Sequence, residues 1–162
     1  MNALELRDIS CYFDGLHALK DVSLQVGPDE FVGLLGPNGA GKTTTLNIAS
    51  GAVHIASGGV MFRGVDVTRK SISQRSRLGI IRSLENNGVF DRLSVIDNVV
   101  AGLRYGSISS RRMAASRWLK EVGISLDRRG NQLSLGQQRR LELARIFARI
   151  EEFRDDCVVL LD

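Results

Sequence analysis

One run of eight residues, Gly36-Pro37-Asn38-Gly39-Ala40-Gly41-Lys42-Thr43, follows the spacing G-x-x-x-x-G-K-[ST], and nothing else in the sequence restricts the fold as tightly. Backbone N–H groups can turn inward around an anion only where φ is free and no Cβ intrudes, which Gly36, Gly39 and Gly41 allow. The pattern demands a strand before it and a helix after it. Phe31, Val32, Leu34 and Leu35 form a run apolar on both faces, as a strand buried in a sheet would be, and residues 42–49 read as a helix. In that setting Lys42 offers charge to the β- and γ-phosphates of a nucleotide, Thr43 a hydroxyl to Mg2+, and the helix its N-terminal dipole. The competing reading is a glycine-rich turn that only packs closely, and the complete pattern in its context favours the nucleotide.

The remaining chain reads as α/β. Leu4 and Leu6 alternate with Glu5 and Arg7, and Val22, Leu24 and Val26 with Ser23 and Gln25, which predicts strands, with another at Val60, Met61 and Phe62. From Ser94, spaced from Asp97 as in a capping box, the pattern turns helical. A helix is expected over 111–122, loops at 106–110 and 127–131, and a longer helix over 137–153 with Leu141, Ala144 and Ala148 on one stripe. A last strand covers 158–161.

Composition narrows the class further. A length of 162 residues, 43% hydrophobic and 25% charged, fits one ordinary globular domain. The longest apolar run, 157–161, is far below the ~18 residues of a membrane span, and residues 1–8 lack a secretory signal, so a cytosolic chain is expected. Cys11 and Cys157 suit neither a disulfide scaffold nor a zinc site and are expected to be small buried residues. The net charge of +4 comes from arginines scattered among acids, without the basic stripe of a nucleic-acid binder. His17 and His54 read as surface or packing residues and Trp118 as a partly buried helix residue.

Residues 157–162 end an apolar strand on Asp162, where proteins with such a loop commonly place an acidic metal ligand. Between loop and strand, Leu133-Ser134-Leu135-Gly136-Gln137 resembles the L-S-x-G-Q signature of ATP-binding cassette (ABC) proteins. The resemblance runs along essentially the whole chain, including Phe13 and Leu93-Ser94-Val95-Ile96-Asp97-Asn98-Val99. Within the family, Gly79-Ile80-Ile81-Arg82-Ser83 and Gly136-Gln137-Gln138-Arg139-Arg140-Leu141-Glu142 look most like ATP-binding subunits of branched-chain amino acid importers.

The resemblance implies an α/β P-loop NTPase fold with an N-terminal antiparallel β subdomain and an inserted α-helical subdomain at about 93–135. Residues 1–162 would form a single nucleotide-binding domain, incomplete at the C-terminus. It implies ATP and Mg2+ as cofactors, with Phe13 stacking on adenine and Gly36, Pro37, Asn38, Gly39, Ala40, Gly41, Lys42, Thr43 and Thr44 around the phosphates. Thr43, Glu85 and Asp162 would hold the metal, and Lys42 and Glu85 would be catalytic. Ser134, Gly136 and Gln137 would meet the γ-phosphate of ATP held by an opposing subunit. A helix N-terminus attracts anions, although the same residues also read as an ordinary capped helix.

Implied partners are ABC transmembrane subunits, a second ATP-binding subunit head to tail and, indirectly, an extracytoplasmic solute-binding protein, with no direct nucleic acid. The implied place is the inner face of the cell membrane. The implied function is coupling ATP binding and hydrolysis to translocation, with import of branched-chain amino acids or similar solutes. Two departures stand out. Glu85 takes the place of a family Gln and adds negative charge beside the phosphates. The family's catalytic Glu, directly after the Asp, and its switch His are not among the 162 residues, so unpaired sheet edges and exposed apolar surface are expected. The alternatives are a non-hydrolysing nucleotide-binding remnant and an ABC ATPase acting on nucleic acid or ribosomes.

Overall fold

The computed structural model describes residues 1–13, 15–83, 88–154 and 156–162. In chain order the elements are β1 (Leu4–Phe13), β2 (Leu16–Val26), α1 (Lys42–Ser50), β3 (Ser57–Phe62), β4 (Val65–Asp66), α2 (Ile72–Leu78), β5 (Ile80–Arg82), α3 (Val95–Val100), α4 (Ile108–Glu121), α5 (Leu135–Phe153) and β6 (Val158–Leu160). Two compact units result, residues 1–80 with 160–162, and residues 81–159.

The first unit is built on an antiparallel sheet in the order β2-β1-β3-β4. Leu6 stands opposite Leu24 on one side and Val60 on the other. Alternation buries Leu4 and Leu6, and the buried set then shifts to Ile9 and Cys11. A bulge causes the shift: the register breaks between Leu6 and Ile9, and Asp8 takes a left-handed φ of 47°. The Asp8 N–H donates to Ser23 Oγ at 2.9 Å, and that hydroxyl donates back to Asp8 Oδ1 at 3.0 Å, so the bulge is held from across the ladder. β5 and β6 form a separate two-stranded sheet.

Residues 31–35 depart from the sequence reading, for they form no strand. Phe31 is 103% and Leu35 97% exposed. Apolar residues on both faces signal a demand for cover, but a strand also needs neighbours to accept and donate its backbone hydrogen bonds, and no described segment pairs with this one. The apolar surface is bare as a result. The chain is expected to enhance the fluorescence of anilinonaphthalene sulfonate, and Phe31→Asp combined with Leu35→Lys to lower it; equal fluorescence from the double variant would locate the dye site elsewhere.

In the second unit α3, α4 and α5 bury Val95, Val99, Leu119, Leu141, Ala144 and Ala148 together. α5 starts at Leu135, ahead of the anticipated 137, because Ser134 and Gln137 close a capping box. Residues 108–110, expected as loop, join α4 because the Ser107 side chain accepts the Ser110 N–H and starts the helix there. Trp118 is half-buried, stacked on Phe147 at 5.0 Å and donating to Glu151 Oε2 at 2.7 Å. Cys11 is buried, whereas Cys157, just before β6, is only half-buried, and His17 and His54 are exposed. Among the described residues no helix is long and apolar enough to cross a membrane.

Candidate functional site

The loop before α1 turns through a bond from the Ala40 N–H to Pro37 O at 3.2 Å and enters the helix at Gly41, whose φ is 85°. Gly41 is required twice. Its left-handed backbone disfavours any side chain, and a Cβ there would meet Leu19 Cδ2 at 2.5 Å and Ala18 O at 3.0 Å. β2 therefore supplies the floor beneath the loop, a role for Ala18 and Leu19 that no motif in the sequence marks. Among the described residues no side chain caps α1, and no acid occupies its first turn. The N–H groups at that end keep their donor capacity and their dipole for an anion.

Lys42 stands at the same end. Its Nζ donates to Gly36 O at 2.9 Å and Pro37 O at 2.8 Å, which leaves one of three ammonium donors uncommitted. Among the described residues no carboxylate pairs with it, so its charge adds to the helix dipole. Thr45, by contrast, is committed, donating its hydroxyl to Gly41 O at 2.9 Å.

Thr43 and Asp162, distant in sequence, come together here: Thr43 Oγ1 donates to Asp162 Oδ1 at 3.2 Å. β6 ends two residues before Asp162 and delivers its carboxylate to the first turn of α1. A hydroxyl and a carboxylate oxygen side by side form a hard-oxygen donor pair, which fits Mg2+, an ion that takes few protein ligands and retains several waters. Glu85, read from the sequence as the third metal ligand and a catalytic residue, lies outside the described residues. Phe13 ends β1 opposite Leu16 and is 48% exposed, open to stacking by a flat ligand. The site residues of the first unit that the structure brings together are thus the 36–44 loop and helix start with Asp162.

The signature residues belong to the second unit. Ser134 Oγ accepts the Gln137 N–H at 3.4 Å, and Gln137 Oε1 accepts the Ser134 N–H at 2.9 Å. The Gln137 carbonyl is thereby committed to the cap, while the Ser134 hydroxyl hydrogen remains available to an outside acceptor. Ser134, Leu135 and Gly136 are exposed, and a Cβ on Gly136 would meet nothing within 4 Å. A capped helix start and an exposed, open helix end coexist.

Comparison with known proteins finds relatives in both sequence and fold. A family model described as "ABC transporter" matches residues 19–162. The lipopolysaccharide export system ATP-binding protein LptB of Escherichia coli strain K12 is 36% identical, over all of this chain and 67% of its own length. The spermidine/putrescine import ATP-binding protein PotA of Spiroplasma citri is 38% identical over 89% of this chain and 41% of its own length. The chain thus spans two thirds or less of these relatives. Among solved structures, a dimeric post-hydrolysis ATP-binding cassette bound to ADP and Pi aligns with a TM-score of 0.80 at 23% identity, covering 98% of this chain and 87% of that one, a likeness of fold.

Proposed function

Because the chain belongs to the ABC transporter family of ATP-binding proteins, we propose that it binds Mg-ATP at residues 36–44 and serves as the ATP-hydrolysing subunit of a membrane transporter. The observation that carries this reading is the convergence of Lys42, the uncapped start of α1 and the Thr43–Asp162 pair on one spot. Lys42 and the loop N–H groups would bind the β- and γ-phosphates, Thr43 and Asp162 would hold Mg2+, and Phe13 would stack on the adenine. Bound Mg2+ supplies neutralisation of phosphate charge. Glu85 would orient the attacking water.

Residues 1–162 make one nucleotide-binding domain in this proposal, with the helical subdomain at about 93–135. Ser134, Gly136 and Gln137 would serve ATP on a second, head-to-tail subunit, and transmembrane subunits at the inner membrane face would take up the motion, with a solute-binding protein acting outside. The narrower reading, import of branched-chain amino acids, is supported by residues 79–83 and 136–142. Lower uptake of labelled leucine by cells lacking this chain is expected, and unchanged uptake would overturn it. Export is a second reading, favoured by the relative matched over all of this chain, which serves an export system.

The metal part is tested by measuring ATP affinity with and without Mg2+. Asp162→Asn removes a charged oxygen ligand and is expected to reduce the Mg2+-dependent gain in affinity by about tenfold, as loss of a charge-assisted contact does. An undiminished gain would remove Asp162 from the metal site.

A further inference from the structure

The far end of α1 is held by an unusual group. Arg75, in α2, is 3% exposed, and its guanidinium is surrounded by backbone oxygens. Nη1 donates to Ile48 O at 2.6 Å and Ala49 O at 2.9 Å, in the last turn of α1. Nη2 donates to Thr68 O at 2.8 Å and Nε to Lys70 O at 3.1 Å. None of these four partners is a carboxylate. Burial pulls its pKa below the ordinary value, with Asp66 opposing the shift through its charge.

A buried arginine paired only with carbonyls is costly to desolvate, and an apolar side chain would fill the same space more cheaply. What the guanidinium adds is location. The carbonyls it binds form the negative end of α1, where a cation reinforces the helix dipole whose positive end begins at Lys42. The chain makes room for it: Gly51 caps α1 with φ 85°, and a Cβ there would meet Arg75 Nε at 3.0 Å and Lys70 O at 3.1 Å. The brace continues into the sheet, since Thr68 Oγ1 accepts the Val60 N–H of β3 at 2.9 Å while Thr68 O accepts from Arg75. One end of α1 is thus bonded through Arg75 to the β3 side of the unit, and the other end carries the loop.

We propose that Arg75 is a positioning residue for the phosphate site, pinning the C-terminal end of α1 with a positive charge and so fixing the aim of the first-turn N–H groups. The inference rests on the nucleotide reading above. A brace that matters only for stability would lower the melting temperature and leave ligand discrimination alone, whereas a positioning residue changes triphosphate binding out of proportion to adenosine binding.

The test is calorimetric titration of the full chain and its Arg75→Met and Arg75→Lys variants with Mg-ATP and with adenosine, beside their thermal midpoints. Arg75→Met is expected to lower the ratio of ATP to adenosine affinity by about tenfold, near the upper range of a partly buried helix-end charge. Arg75→Lys keeps the charge but makes fewer bonds, so its ratio should fall less, by roughly threefold. A lower midpoint with an unchanged ratio in both would overturn the proposal. If Arg75→Met does not fold, the ratio in Arg75→Lys decides, and an unchanged value overturns it equally. Failure of the wild-type chain to bind ATP would defeat the nucleotide reading and this inference together, a result distinct from binding with an unaltered ratio.

Discussion

Replacing Lys42 with alanine is expected to weaken Mg-ATP binding by about 30-fold or more, since a charge-assisted contact to phosphate contributes about 2 kcal/mol or more. Two features make the effect this large. The Lys42 charge is not neutralised by any described carboxylate, and its Nζ is held beside the loop by Gly36 O and Pro37 O, so little ordering remains for binding. The same bonds limit the cost to folding. They join Lys42 to its own loop, an exposed stretch, and α1 starts at Lys42, after Gly41, with no side-chain cap among the described residues. Titration with ATP beside a thermal melt checks this: a large loss of affinity with a nearly unchanged midpoint is expected. Equal affinity in the variant would mean that the loop does not bind phosphate.

The largest stability effect is expected at Asn98, 1% exposed within α3. Its Oδ1 accepts the Phe90 N–H at 2.9 Å and Arg145 Nη2 at 2.6 Å, and its Nδ2 donates to Phe90 O and Ser94 O, each at 3.0 Å. Arg145 also donates to Asn98 O at 3.1 Å and Gly88 O at 2.7 Å and lies over the Phe90 ring at 5.4 Å. A single amide thus ties the 88–90 segment to α3 and, through Arg145, to α5. Asn98→Leu keeps the volume but takes one acceptor from the Arg145 guanidinium, which burial desolvates, and leaves the Phe90 N–H without its acceptor. Such a group costs about 1–3 kcal/mol, so a loss of roughly 3 kcal/mol or more is expected from urea denaturation. A change below about 0.5 kcal/mol, ordinary for a surface site, would contradict it.

What could be read from the sequence follows from where the physics is local. The phosphate loop carries its own signature because glycine freedom, a lysine and a hydroxyl must occur at fixed spacing, and the helix expected after it forms as α1. Capping at Ser94 and Ser134 was equally legible, since a cap reaches only three residues ahead. Residues 31–35 misled because apolar periodicity reports a need for burial and not the presence of a partner strand. Arg75, Leu19 and Asn98 were invisible for a related reason. Each acts through residues many positions away, Arg75 on Ile48, Leu19 beneath Gly41 and Asn98 on Arg145, and no local pattern records such contacts. The Thr43–Asp162 pair is the exception, a long-range contact that the sequence anticipated only because two separate motifs each pointed to the same metal. α2 shows no helical period in the sequence because its seven residues are too few for one, although Ser71 and Gln74 form a capping box.

The central claim, that the 36–44 loop and the start of α1 bind the phosphates of ATP, is tested most directly by amide hydrogen exchange of the chain with and without Mg-ATP. The exposed loop amides have no described backbone acceptor apart from the Ala40–Pro37 turn, so they should exchange quickly alone and be protected on adding nucleotide. Protection concentrated at residues 36–45, and lost in Lys42→Ala, is the expected result. No protection there at saturating Mg-ATP, or protection confined to other segments, would contradict the account.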